Sequence, residues 1–324
     1  MKNNIKHLFL GLCMLITVLS CTKEISVDIP KSKPKLVIES TLVPYSNNSK
    51  FLGVKVTSSR SIFSSSTVEP ITDATVLLYK NEAFMDTLVY DSSTYAMFYP
   101  IVFGPLQGPL AGETYRIEVS SPGFSSVEAE TVIPEKVSVE NVSINRIGFF
   151  DESGLVYSNL KITFTDPPEK ENYYEIVVTT IGKEYQTESY RLLTSHEPFI
   201  VNEPHYPDIT RIDLKNPIRL LFNDKTFNDP KIELDCYFFA SQITGDSHIL
   251  TSGILAVQLR NVSKEYYLFQ TTLLHSSFNR EADILYGLGE PLNVLSNITN
   301  GHGIFAGFNN DIHYISLDTL TVRR

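Results

Sequence analysis

The chain has 324 residues, a formal charge of −10 and a hydrophobic fraction of 42 %. That acidic balance suits neither nucleic acid nor an anionic lipid surface, so the polypeptide is expected to bind neither. The apolar content is enough for real cores, which excludes a disordered chain.

Met1 to His7 carries two lysines and no acid, and Leu8 to Leu19 is an apolar run without charge. These are the n-region and h-region of a secretory signal. The run is shorter than the ~20 apolar residues that cross a bilayer core, so it is set aside from the fold. It ends in Val18-Leu19-Ser20-Cys21, which resembles the lipobox of bacterial lipoproteins. The resemblance implies that the Cys21 thiol receives a diacylglyceryl group, and that residues 1–20 are then cleaved away as a lipoprotein signal peptide. Ser20 is small enough for the peptidase subsite, and only a thiol can form the thioether. An ordinary signal peptide ending on a chance cysteine is the alternative. Each buried CH₂ of an acyl chain contributes about 0.8 kcal/mol, so the two or three chains of a processed lipoprotein hold firmly. Loss of twenty residues from 324 leaves 304, more than one domain of about 100–150 residues.

Residues 21–34 read as a lipidated tether, in which Pro30 and Pro34 discourage regular structure. Lys23 and Glu24 resemble the export signal of surface lipoproteins in Bacteroidetes, and a plain solvated tether carries such charges too. Both the periplasmic face of the outer membrane and the cell surface stay open.

Residues 35–134 read as an N-terminal β-sandwich. Strands are expected at Lys35–Val43, Phe51–Thr57, Pro70–Lys80, Phe84–Val89, Thr94–Tyr99, Tyr115–Val119 and Val127–Ile133. Tyr115, Ile117 and Val119 alternate with Arg116 and Glu118, as a half-buried strand requires. Ser58–Thr67 reads as an exposed loop, and Ser121-Pro122-Gly123-Phe124 as a tight turn. Seven short strands in about a hundred residues argue a sandwich.

Residues 135–324 read as a second β-rich domain. Strands are expected at Val137–Ile147, Leu160–Thr165, Tyr173–Thr180, Ile218–Phe222, Ile232–Ala240, Ile254–Arg260, Ile304–Phe308 and His313–Leu317. Between them, Ser263 can cap a helix running to about Phe278, with Tyr266, Phe269 and Leu273 on its packed face. The fold class is therefore mainly β: two β-sandwich-like domains in tandem, the second with one packed α-helix near 263–278.

Several stretches together resemble a known family. Ile71-Thr72-Asp73-Ala74-Thr75-Val76, Gly112-Glu113-Thr114-Tyr115 and Pro122-Gly123-Phe124 are similar to the prealbumin-like or carboxypeptidase-regulatory-like sandwich. The lipobox with Lys23-Glu24-Ile25, then Thr131-Val132-Ile133-Pro134, Phe164-Thr165-Asp166-Pro167 and Asn172-Tyr173-Tyr174 extend the likeness. So do Ser296-Asn297-Ile298 and Gly301-His302-Gly303-Ile304-Phe305. In this order they resemble DUF4249, a family of Bacteroidetes lipoproteins. The resemblance implies an outer-membrane protein that accompanies TonB-dependent transporters. It supplies no catalytic residues.

The residues show no constellation for chemistry. His196, His205, His248, His275, His302 and His313 include no i, i+4 pair of the kind a helical zinc site uses. His196 and His205 share a loop with Glu197, Glu203 and Asp208, from which a metal site could be assembled; a polar loop is the plainer account. Asn223–Asp229 is acidic and asparagine-rich but lacks the EF-hand spacing. Cys236 sits in a strand and reads as a small buried hydrophobe. Gly287-Leu288-Gly289 lacks the third glycine of a dinucleotide fingerprint. No catalytic residue, metal or cofactor is expected, and lipidation at Cys21 is the only assigned site. Partners are the membrane, through the lipid on Cys21, and an outer-membrane β-barrel receptor. The alternative is a surface glycan-binding protein or hydrolase whose site lies on C-terminal domain loops, at 195–216 or 223–229.

Overall fold

In the N-terminal half, apolar and polar residues alternate through β1 (Leu36–Leu42), β2 (Lys55–Ser58), β3 (Thr75–Lys80), β4 (Ala83–Asp91), β5 (Val102–Gly104), β6 (Thr114–Ser120) and β7 (Val127–Val132). The C-terminal half holds β8 (Val139–Phe150), β9 (Val156–Thr165), β10 (Tyr173–Ile181), β11 (Glu188–Tyr190), β12 (Leu193–Thr194), β13 (Arg219–Asn223), β14 (Lys231–Phe239) and β15 (Ile254–Val262). Helix α1 (Lys264–Tyr286) and β16 (His302–Ser316) follow. This computed structural model describes residues 33–44, 53–61, 67–91, 102–104, 109–150, 156–181, 188–191, 193–201, 218–239, 253–286 and 293–317. The leader, Cys21, the expected strand at 94–99, His205 and Gly287–Gly289 lie outside the described residues. The described chain is mainly β, with several sheets and one helix, as its composition predicts.

A seven-stranded sheet organises everything else. Its order is β11-β10-β15-β16-β1-β2, with β13 also paired to β10. Strand β16 is long enough to serve two neighbourhoods: His302–Gly307 pairs in parallel with Val37–Leu42, and Phe308–Ser316 pairs antiparallel with Val262–Ile254. Two smaller sheets pack on one face. The five-stranded sheet β5-β4-β3-β6-β7 closes a core in which Leu78, Tyr115, Ile117 and Val119 meet Leu36, Ile38, Val56 and Phe305. The four-stranded sheet β12-β14-β9-β8 closes a second core, in which Leu160, Ile162, Phe164 and Phe238 meet Tyr174, Ile176, Val178 and Leu259. The expected boundary at 134/135 thus separates the two smaller sheets, while the long sheet runs through both sandwiches.

Two expected elements differ. The strands expected at Ile304–Phe308 and His313–Leu317 are one strand. Asn309, Asn310 and Asp311 have turn-forming side chains, but their backbones stay in register opposite Asn261, Arg260 and Leu259. The helix extends past Phe278 to Tyr286. Its packed face is Tyr266 and Tyr267, with Phe269 partly buried against them. Leu273 is 37 % exposed, so the expected stripe ends one turn early.

Helix α1 covers the opposite face of the long sheet. Tyr266 and Tyr267 pack on Tyr173, Leu221, Val262, Ile304 and Ala306. Burial on both faces explains why β10 is enclosed along nearly its whole length. On the helix side, β10 contributes a fully buried carboxylate, Glu175. Arg219 Nη1 reaches its Oε1 at 2.9 Å, Arg260 Nη1 its Oε2 at 2.7 Å, and the Tyr266 hydroxyl donates at 3.0 Å. A buried charge is tolerated when paired and hydrogen-bonded, and these contacts also fix the helix to the sheet.

Candidate binding cleft

Where the two sandwiches adjoin, a cleft of about 510 Å³ opens between three chain segments. The first wall is the end of β7 and the linker to β8, residues 130–137. The second is the β9–β10 turn, residues 167–173. The third is the β15–α1 junction, residues 261–265. The volume lies in the ordinary range for ligand sites, about 300–1,000 Å³.

Each wall is held by side-chain hydrogen bonds. Asn261 Nδ2 donates to the Glu135 carbonyl at 3.0 Å, pinning the linker to the long sheet. Lys136 pairs with Asp311 at 2.6 Å, and Asp311 also accepts the Val139 N–H at 2.9 Å. Burial pushes the Asp311 carboxyl up, but Lys136 and the Val139 N–H outweigh it and hold the group below the usual aspartate range. In the second wall, Asp166 accepts from Asn172 Nδ2 at 3.2 Å and from the Tyr174 hydroxyl. Asn172 N–H donates to Asp224 at 2.6 Å. Burial drives Asp166 and Tyr174 upward, which keeps the pair hydrogen-bonded around a single charge. In the third wall, Ser263 Oγ accepts the Tyr266 N–H at 3.3 Å and so caps α1. Thr131 donates its hydroxyl to Glu265 at 3.2 Å, joining the first wall to the helix.

The lining combines an apolar floor with a charged rim. Ile133, Val137, Tyr173 and Val262 are buried, and Val132 stands 47 % exposed. Five glutamates face two lysines, Lys170 and Lys264. Glu171 is engaged by Lys225 at 2.7 Å, which with the Tyr173 hydroxyl holds it below the usual carboxylate range. Glu265 is engaged by Thr131. Glu130, Glu135 and Glu169 have no ion-pair partner among the described residues. The Glu135 carboxylate lies over Gly112, where φ is +76° and a Cβ would fall 2.5 Å from its oxygen.

The residues weighed from the sequence fall elsewhere. His196 is exposed on the outer face of the four-stranded sheet, its ring 5.7 Å from Tyr237. Its neighbour Glu197 accepts the Asp235 N–H at 3.4 Å. His205, Glu203 and Asp208 lie outside the described residues. Among the described residues no group of three or more metal-ligating side chains converges. In Asn223–Asp229 the side chains are engaged locally: Asn223 accepts the Lys225 N–H at 3.1 Å and donates to Tyr267 at 2.9 Å, and Asp229 accepts the Lys231 N–H at 2.8 Å. Cys236 is fully buried, and burial pushes its thiol up to about 12. Gly303 does not form a tight turn; it lies within β16 at φ +105°, where a Cβ would overlap the Ile38 carbonyl oxygen. On the outer face near His196, Phe149 stacks on Tyr157 at 4.8 Å and meets Tyr237 edge-on at 5.2 Å.

The cleft was not visible as a site in the sequence, because its walls are far apart along the chain. Two of its walls nonetheless hold stretches that carry the family likeness, Thr131–Pro134 and Pro167 with Asn172-Tyr173. The model of a family described as "Domain of unknown function (DUF4249)" matches residues 22–312. No curated protein matches the chain. Among solved structures, a protein of Corynebacterium diphtheriae described as membrane anchored aligns at 9 % identity, over 72 % of this chain and 55 % of that one, with a TM-score of 0.19. The chain thus spans about half the length of that protein. Among the described residues, no helix is long and apolar enough to cross a membrane.

Proposed function

This chain belongs to the DUF4249 family, and from that premise we propose that it is a lipid-anchored envelope protein that works by binding. Cys21 carries the lipid, residues 22–34 are the tether, and the outer membrane is the site of anchorage. The partner is an integral β-barrel transporter of the TonB-dependent type, and no covalent chemistry is performed on it. The observation that carries the reading is the cleft. Three distant segments build a concave surface with an apolar floor. Its two hydroxyls are already engaged, Thr131 with Glu265 and Ser263 as the helix cap. That lining suits recognition better than turnover. Affinity purification of the tagged protein from native membranes tests the reading. An integral barrel protein should be enriched; recovery of none above background would sink it.

A second reading rests on a different observation. The Phe149, Tyr157 and Tyr237 rings stand beside Asn159, Asp235 and Lys161 on the outer face of the four-stranded sheet, and Asn159 donates to Asp235 at 3.3 Å. Aromatic faces beside polar groups suit a glycan, so a glycan-binding or hydrolytic surface protein is the alternative. Screening binding and hydrolysis of oligosaccharides with wild type and Tyr237→Ala separates the two. Sugar binding lost in the variant favours the alternative, and no sugar binding by either protein removes it.

A further inference from the structure

We propose that the cleft receives an extended, basic segment of the partner protein, which pairs with the free edge of β7. This rests on the binding reading above and specifies its occupant.

Backbone geometry gives the first argument. Strand β7 pairs with β6 on one side only. On the other side, the Glu128 carbonyl accepts the Thr299 N–H at 2.9 Å and the Glu130 carbonyl accepts Asn297 Nδ2 at 3.2 Å. Those carbonyls therefore point away from β6. In an antiparallel pair, every second residue points its N–H and C=O the same way. Val132 is next in that series, and the intervening Ile133 N–H turns inward to the Glu113 carbonyl at 3.1 Å. The Val132 N–H and C=O thus point outward at the cleft wall. Among the described residues neither has a backbone partner. An edge capped for two residues and open at the third is a template for an added strand.

Side chains give the second argument. Val132 is 47 % exposed beside a buried apolar floor, so an apolar side chain of the incoming segment has somewhere to go. The alternate side chains of a strand point the other way, toward the rim. There Glu130, Glu135 and Glu169 are unpaired, and five carboxylates outnumber two ammonium groups. The positive end of α1 does not reverse this, because Glu265 in its first turn and the Ser263 cap already occupy it. The complementary occupant alternates apolar residues with lysine or arginine.

The test uses a fluorescent heptapeptide of alternating lysine and valine, with its glutamate–valine counterpart as control, added to the intact mature chain. The lysine peptide should bind saturably and the glutamate peptide should not. E130Q/E135Q/E169Q should weaken binding about tenfold, as three modest ion pairs predict. N-methylation of alternate peptide amides should abolish binding by removing the edge hydrogen bonds. Equal binding of both peptides, an unchanged affinity in the triple variant, or no saturable binding overturns the proposal. Purification from native membranes separates this failure from that of the partner reading. A barrel that still co-purifies with the triple variant removes the cleft assignment alone. A barrel absent even with wild type removes the partner itself.

Discussion

Glu175 is the residue on which the helix side of the molecule depends. It is fully buried, and two guanidinium groups and a tyrosine hydroxyl converge on it. Glu175→Gln keeps the volume but leaves Arg219 and Arg260 without their counter-charge. Breaking a buried pair in this way costs about 3 kcal/mol. Urea unfolding should show that loss, and a change under about 0.5 kcal/mol would mean the pair contributes nothing net. Cys236 makes a simpler case. A thiol pushed up to about 12 and closed off from solvent should resist iodoacetamide in the native protein and react at once in denaturant. Alkylation under native conditions would show that the four-stranded sheet opens or that the thiol is reachable. The burial of Cys236 was legible from its place between strand formers. Glu175 was not, because a glutamate inside Tyr173–Ile181 looks like any solvent-facing position until Arg219 and Arg260 are brought beside it.

At the scale of elements, β1 and β16 form the critical contact, since they alone join the chain's two ends into one sheet. Gly303 permits their approach: the Ile38 carbonyl occupies the space a side chain would take, and φ there is +105°. Gly303→Ala should therefore cost several kcal/mol, combining strain and lost pairing, at about 1–3 kcal/mol for the backbone term alone. Thermal unfolding checks it, and a midpoint matching wild type would contradict this register. The linker offers a pH test. Asp311 titrates below its unfolded value of 3.8, so the stability it adds is complete above that value and drains away as pH falls through the folded one. Asp311→Asn should cost up to about 1 kcal/mol at neutral pH and flatten the acid limb of stability below about pH 4. Parallel acid limbs for the two proteins would remove Asp311 from the account. Alternation made strands such as Thr114–Ser120 legible, and Ser263 marked the helix start. The helix end and the continuity of β16 were not legible, because Asn279 and Asn309-Asn310-Asp311 carry turn-forming side chains that tertiary pairing overrides.

The whole molecule is a long sheet bearing two sandwiches on one face and a helix on the other. Its N- and C-terminal strands lie side by side. Pairing Leu36–Leu42 with residues 302–307 leaves no periodic trace in the sequence, so two tandem domains were the natural expectation. The cleft was hidden for the same reason: residues near 131, 170 and 263 meet only once that sheet exists. The anchor, by contrast, was written locally in Val18–Cys21. Cys21→Ser should move the protein from the membrane fraction to the soluble fraction while leaving its melting temperature unchanged; a variant that stays on the membrane would rule out the lipid as the tether. The central claim is that the tethered protein engages a barrel through its cleft. Site-specific photo-crosslinking in intact cells tests it directly, with a benzophenone residue at position 132 and a control at Phe84, which is exposed on a different strand. The account predicts a crosslink from position 132, and not from 84, to an integral β-barrel protein, lost in E130Q/E135Q/E169Q. Equal crosslinking from both positions, or none to a barrel from 132, would contradict it.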